Sequence, residues 1–397
     1  MRIPATEYQD RLTRLQASVA ASDVDACLLA SRESIFYLTG VSYEPLERPF
    51  LMLVRPSGPL RLLAPVMEQV HLQESAPQAL VSTYREYPAP PGEGWPDQLA
   101  ALLGDCARLA IEPSLPQEIA DGLQGREAHV LPLVENLRCI KSPAEVAMIR
   151  LAARYADRAV ERVIRASYYG VAEIELFAQG RTVLTEIMRE VGFDVLTTTV
   201  LAGAWPAPDS AQPHSVPTIA DRLTEGPHIA LCLDRVFGYA AECERTYFTA
   251  LPSSDVRAAF TAMMEARRRA YALLRPGTPC AEVDTAATDF LRTEGYGDYL
   301  LHRTGHGFGL GNHERPWLAA GSTETLQANM VVSNEPGIYL PGVGGIRHSD
   351  TILITADGYE NLTRYPVDLA DLTIRGRKPL SRLRGALVRR AVGLGGR

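Results

Sequence analysis

One stretch, "SPAEVAMIRLAARYADRAVERVIRAS" at residues 142 to 167, constrains the fold more than any other. Ser142, Pro143 and Glu145 stand in capping-box positions ahead of a long apolar repeat of 3.6 residues, so a helix starts at about Pro143. A stripe that long must be covered by a sheet or by other helices. The chain before it reads differently. "EYQDRLTRLQASVAASD" has helical spacing, "VDACLLA" reads as a strand, and "FLMLVRPSGPLRLLAP" as a hairpin turning at Pro-Ser-Gly. This predicts a small α/β domain with its boundary around residues 130 to 140. After the helix, "AEIELFAQGRTVLTEIMREV" and "SDVRAAFTAMMEARRRAYALL" are helical. The segments "GPHIALCLDRVF", "GHGFGLGNHERP" and "NMVVSNEPGIYLPGVGGIRHSDTILIT" are strand-like and rich in glycine. The second domain is therefore expected to be α+β, with helices packed on a curved antiparallel sheet.

The length of 397 residues exceeds one ordinary core and fits two domains. No apolar run approaches the roughly 20 residues of a membrane span, and "MRIPATEYQDRLTRLQ" lacks the apolar core of a secretory signal. The expectation is a cytoplasmic protein with no membrane partner. A net charge of -7 argues against a nucleic-acid partner. Six cysteines are scattered singly, which suggests buried, reduced thiols. Residues 375 to 397 hold eight Lys/Arg and no acid. They read as a solvated or frayed basic tail, the other reading being a contact for an anionic partner.

Polar chemistry gathers late in the chain. His302, His306, His313 and His348 each lie beside Gly, Glu or Asp, and His214 lies upstream in "DSAQPHSVPT". Glycines let backbone approach a ligand closely, while imidazole serves as a base or a metal ligand. The stretch "LCLDRVFGYAAECERTYF", residues 231 to 248, sets Asp234, Glu242, Glu244 and Arg245 in an otherwise apolar strand-like run.

The segments "HRTGHGFGLGNHERP", "SNEPGIYLPGVGGIRHSD" and "FGYAAECERTYF", with the "LRCIKSPAEVAMIRLAA" linker, resemble the pita-bread family of creatinase, Xaa-Pro dipeptidase (prolidase) and aminopeptidase P. The resemblance runs from about residue 8 to residue 373. It implies a creatinase-type N-terminal α/β domain (1–135), a pita-bread catalytic domain (136–374), the basic tail (375–397) outside it, and a homodimer. In the peptidases of this family, two bridged divalent metals are held by Asp, Asp, His, Glu and Glu. Here those positions fall on Leu231, Glu242, His306, Glu335 and Ser349. Leucine cannot ligate, and a neutral serine is a poor substitute for a bridging carboxylate. Asp234 and Asp350 are offset by three and one residues from the missing positions, which on a strand points them to the opposite face. The resemblance thus implies either no cofactor or one weakly bound divalent metal, Mn or Zn, on Glu242, His306 and Glu335.

Creatinase itself runs without metal on the same fold. Its catalytic histidine aligns with His214 and its guanidinium-gripping carboxylate with Glu244. Its carboxylate-binding arginine falls on Trp317 and its second carboxylate on His348, whereas "HERP" at 313–316 keeps the prolidase pattern. The catalytic expectations are His214, Glu242, Glu244, His306, His313 and Glu335. Tyr239, Trp317, Arg347 and His348 are expected to bind substrate. Arg245 is expected to anchor the sheet by pairing with Glu244. The expected activity is hydrolysis of a C-N bond in a small peptide-like or amidine-like substrate without a dinuclear metal centre. The alternatives are a weak mononuclear Xaa-Pro dipeptidase or aminopeptidase, and a non-catalytic binding scaffold.

Overall fold

The computed structural model describes residues 2–374 and 378–394, and the chain forms two compact units, Arg2–Arg138 and Cys139–Arg397. In the first unit, α1 (Ala5–Ala20), α2 (Arg32–Thr39), α3 (Gln69–Ser75), α4 (Trp95–Leu103), α5 (Gln117–Asp121) and α6 (Leu133–Cys139, which ends at the next unit) accompany one sheet. Its strands β1 (Ala26–Leu29), β2 (Leu51–Val54), β3 (Arg61–Pro65), β4 (Leu80–Tyr84), β5 (Arg108–Ile111) and β6 (Glu127–Val130) run in the order β4-β3-β2-β1-β5-β6. The Pro-Ser-Gly turn does form a hairpin: Leu51 pairs with Leu63, and Gly58 takes the left-handed φ of 88° that only glycine adopts cheaply. Leu28, Leu51, Leu53, Leu63, Leu99 and Leu109 fill the core of this unit.

The second unit opens with α7 (Pro143–Ala166). Its capping box is closed on both sides: Ser142 Oγ accepts from Glu145 N, and Glu145 Oε2 accepts from Ser142 N at 3.0 Å. There follow α8 (Glu173–Glu190), β7 (Thr199–Trp205), β8 (His228–Val236), β9 (Tyr239–Tyr247), α9 (Ser254–Tyr271), α10 (Cys280–Thr293), β10 (Gly305–Gly307), β11 (Glu314–Leu318), β12 (Val331–Ser333), β13 (Gly337–Leu340), β14 (Gly344–Arg347), β15 (Ser349–Ile354), β16 (Tyr359–Asn361) and α11 (Pro379–Ala391). An antiparallel sheet runs β11-β10-β12-β15-β9-β8-β7, with β16 beside β15 and a separate β13-β14 hairpin. The apolar stripe of α7 (Ile149, Ala152, Ala156, Val160, Val163) is fully buried. Burying its larger members contributes roughly 1.5 to 3 kcal/mol each.

The β8-β9 hairpin fixes what the other sheet face presents. Phe237 and Gly238 both take positive φ, 50° and 90°, the mark of a primed two-residue turn whose twist matches its strands. Gly238 N is tied to the Thr197 carbonyl at 2.7 Å. The resulting register sets Leu231 opposite Glu244 and Leu233 opposite Glu242. On the other side of β9, β15 sets Ser349 opposite Glu244.

The basic tail departs from a frayed segment. Residues 375–377 and 395–397 of that tail lie outside the described residues, but between them α11 is a helix packed on α8.

Candidate active site

A cavity of about 350 Å³ opens on the sheet face away from α7. Glu242, Glu244, His302, His306, Glu335 and Arg347 reach into it, its wall is made by Leu201, Trp205, Leu231 and Leu233, and His214, Arg303 and His313 also line it. Strand alternation explains the carboxylate pair: Glu242 and Glu244 share a face, while Cys243 and Arg245 between and after them point away. Across three strands the row reads Leu231, Glu244, Ser349, all buried.

Glu244 is engaged at both oxygens by Arg347, through Nε and through Nη2 at 2.8 Å. Arg347 Nη1 donates to the Tyr339 hydroxyl at 2.8 Å, and His302 Nε2 lies 2.7 Å from the same oxygen. Burial still raises the Glu244 carboxyl above its ordinary value, although Arg347 pulls it down. Glu242 is different. Its Oε1 is buried without a partner, and burial together with the charges of Glu335 and Glu244 pushes its pKa well up. Glu335 moves the other way: burial opposes its ionisation, but His306 outweighs burial and holds it below the usual carboxylate range.

His306 sits on β10, whose glycines permit close strand approach; a Cβ on Gly307 would lie 2.2 Å from the Arg315 carbonyl. Its Nδ1 faces the Gly307 carbonyl at 3.2 Å, an acceptor only, so Nδ1 carries a proton, and Nε2 is directed at the Glu335 carboxylate. Nε2 lies 3.0 Å from Glu335 Oε1, which also accepts from Ser333 Oγ at 3.1 Å. The His306 and His313 rings are 3.9 Å apart, and burial lowers the His313 pKa to about 4.

Among the described residues, two groups of donor atoms lie within 4.8 Å of one another: Glu242 with His306 and His313, and Glu242 with Glu244 and Glu335. The first fits one divalent ion, because it joins an unpartnered buried carboxylate oxygen to two imidazoles, and His306, with Nδ1 held by the Gly307 carbonyl, presents Nε2 as its ligand atom. The second is already engaged by a cation, the Arg347 guanidinium on Glu244. A two-ion centre finds no carboxylate at Leu231 or Ser349.

His214, Glu242, Glu244, His306, His313, Glu335 and Arg347 are thus brought to one cavity. Tyr239, His348 and Trp317 do not line it, which corrects their assignment to substrate binding. Tyr239 turns toward α7, its hydroxyl donating to Glu145 Oε1 at 3.3 Å. His348, the single residue between β14 and β15, is fully buried against Phe260 at 5.3 Å between centroids, and burial lowers its pKa well below the ordinary value. Trp317 lies on β11, paired with His306 of β10, with the Arg303 guanidinium 4.5 Å over its ring. Arg245 also differs: it donates to the Glu244 backbone carbonyl at 2.7 Å and pairs with Asp350 at 2.7 Å, not with the Glu244 carboxylate. Asp350 is further held by Arg267, by Tyr271 at 2.8 Å and by Thr363 at 2.8 Å. Asp234 is buried behind the sheet, where burial and Asp157 raise its pKa. Neither Asp replaces a missing ligand. His302 and Arg303 were not among the expected site residues, although their place in the "HRTGHG" segment was signal enough. Leu201 and Trp205 carry no motif at all.

The model of metallopeptidase family M24 matches residues 147–356, and that of the creatinase/prolidase N-terminal domain matches residues 11–140. An uncharacterized peptidase of Staphylococcus aureus (strain USA300) is 30% identical over 358 residues, spanning 89% of this chain and 99% of that protein. Among solved structures, a dipeptidase from Mycobacterium ulcerans superposes with a TM-score of 0.81 at 28% identity, covering 93% of this chain and 99% of that one. A prolidase from Pyrococcus horikoshii OT3 does so with a TM-score of 0.77 at 26% identity, covering 91% and 99%.

Proposed function

Since the chain belongs to metallopeptidase family M24 and is a hydrolase, we propose that it cleaves the C-N bond of a short peptide-like substrate with a centre that holds at most one divalent ion. The observation that carries this reading is the Glu244 carboxylate, gripped at both oxygens by Arg347 in a row flanked by Leu231 and Ser349. Glu242, His306 and His313 would hold the single ion, Mn or Zn. Such an ion polarises a carbonyl and lowers the pKa of bound water.

The chain's own residues supply the rest. Leu201, Trp205, Leu231 and Leu233 exclude water from one side of the substrate and strengthen the electrostatics of the polar side. The Arg347-Tyr339-His302 chain fixes Glu244 in one orientation. Glu242, favouring its proton in the absence of a cation, can donate a hydrogen bond to a carbonyl oxygen. His214 stands beside the cavity, where an imidazole can take a proton from water and return it to the leaving nitrogen.

A second reading follows from the same unpartnered oxygen. Ionised Glu242, facing an amidine or guanidine, would form a charge-assisted pair in an apolar-walled site. The deciding experiment is mass-spectrometric metal analysis of the protein after loading with Mn or Zn and dialysis, alongside turnover of Xaa-Pro dipeptides and small amidines. One ion or fewer per chain with dipeptide turnover supports the first reading. Two retained ions per chain overturn it, and turnover of amidines alone promotes the second.

A further inference from the structure

The C-terminal helix α11 meets the protein mainly through small and polar residues rather than through its leucines. Gly385 is buried so closely on α8 that a Cβ there would come within 1.5 Å of Glu175 Oε2. Arg389 pairs with Glu175, and the Arg382 guanidinium lies 4.7 Å over the Tyr168 ring. Its apolar side faces solvent: Leu380, Leu383 and Leu387, at i, i+3 and i+7, are 71%, 63% and 64% exposed. Surface helices normally bury such a stripe, and one left outside marks a contact surface.

The charges beside the stripe identify what the surface suits. At 100° per residue, Arg384 and Arg390 fall on opposite flanks of the three leucines, and both are exposed. Beside Arg384 a groove of about 550 Å³ is also lined by Arg158, Arg162 and Arg165, which are tied to glutamates of α7 and α8. No acidic residue occurs from 375 to 397, against eight Lys/Arg. Outward leucines between arginines can sit at the acyl boundary while the guanidiniums reach phosphates. A second copy of α11 would bring like charges together, and duplex nucleic acid has no use for the leucines. We propose that α11 rests on an anionic lipid surface, with Leu380, Leu383 and Leu387 at the acyl boundary and Arg384 and Arg390 at the headgroups. Spanning is a separate matter: among the described residues no helix is long and apolar enough to cross a membrane.

The test is flotation of the full chain with vesicles of phosphatidylcholine, alone or with roughly 30% phosphatidylglycerol, at about 50 and about 500 mM salt. Binding is expected only with phosphatidylglycerol, weakened at high salt, and lowered about tenfold or more by Leu383→Glu with Leu387→Glu. These positions are exposed, so folding should hold; if melting shows otherwise, Arg384→Gln with Arg390→Gln serves instead and should lower binding in the same way. Equal binding by variant and wild type, or no binding at low salt, overturns the proposal. So does a leucine variant that changes oligomeric state without lipid, which would assign the stripe to a second copy, or loss of vesicle binding to competing duplex DNA with the leucine variant unaffected.

Discussion

Arg347, at the end of β14, holds both carboxylate oxygens of Glu244, at the centre of β9, and the two are only 5% and 2% exposed. A fixed guanidinium therefore neutralises this carboxylate inside the cavity. Removing one partner strands a buried charge. Arg347→Met should lower stability by about 3 to 5 kcal/mol, and adding Glu244→Gln should return much of that loss. Urea unfolding of both variants checks it. Equal losses in single and double variants would mean that the pair is not coupled.

Leu231 and Ser349 flank Glu244 in register, one on each neighbouring strand. Leu231→Asp with Ser349→Glu should increase the number of divalent ions retained after dialysis, because carboxylates supply both ligands and compensating charge. Unchanged stoichiometry in a folded double variant would show that these side chains do not reach the cavity ions.

His214 is exposed beside the cavity, so replacing it should leave the fold intact. His214→Ala should lower kcat by about 10²- to 10⁴-fold, the usual worth of a positioned general acid/base, with a smaller effect on KM. A change confined to KM would reassign the residue to substrate binding.

Away from the cavity, Glu173 gives a pH signature. Burial raises its pKa to about 8, one oxygen accepts from Ala204 N at 2.9 Å, and the other is buried without a partner. Its folded pKa lies above its unfolded value. Its contribution is therefore fully present below the ordinary value of 4.5 and is lost as pH rises toward 8. The slope should reach up to about 1.4 kcal/mol per pH unit. Glu173→Gln should flatten the melting temperature between pH 5 and about 8. His228 acts at the other end: burial lowers its pKa to about 4, so its contribution is present above the ordinary value of 6.5 and fades as pH falls toward 4. An unchanged pH profile in the Gln variant would show that Glu173 is not the group responsible.

What the sequence determined was local. The capping box of α7 and the Pro-Ser-Gly hairpin could be read from the sequence because caps and turns depend on residues a few positions apart, whereas the grouping of Glu242, His306, His313 and Glu335 came only from the resemblance to the pita-bread family. Alternation even held more than was taken from it. The odd offset that sends Asp350 away from Ser349 applies equally to His348 beside Arg347, and to Tyr239 three residues before Glu242. The tertiary structure decided which charges meet. Arg245 is adjacent to Glu244 in sequence but points to the other sheet face and pairs with Asp350, while Arg347, 103 residues away, takes the carboxylate. Leu201 and Trp205 reach the cavity wall only because β7 pairs with β8, and α11 shows its leucines to solvent only because Glu175 and Tyr168 hold its polar side. Register between distant segments is set by hydrogen bonds and burial summed over a whole sheet, and no short window of sequence contains that sum.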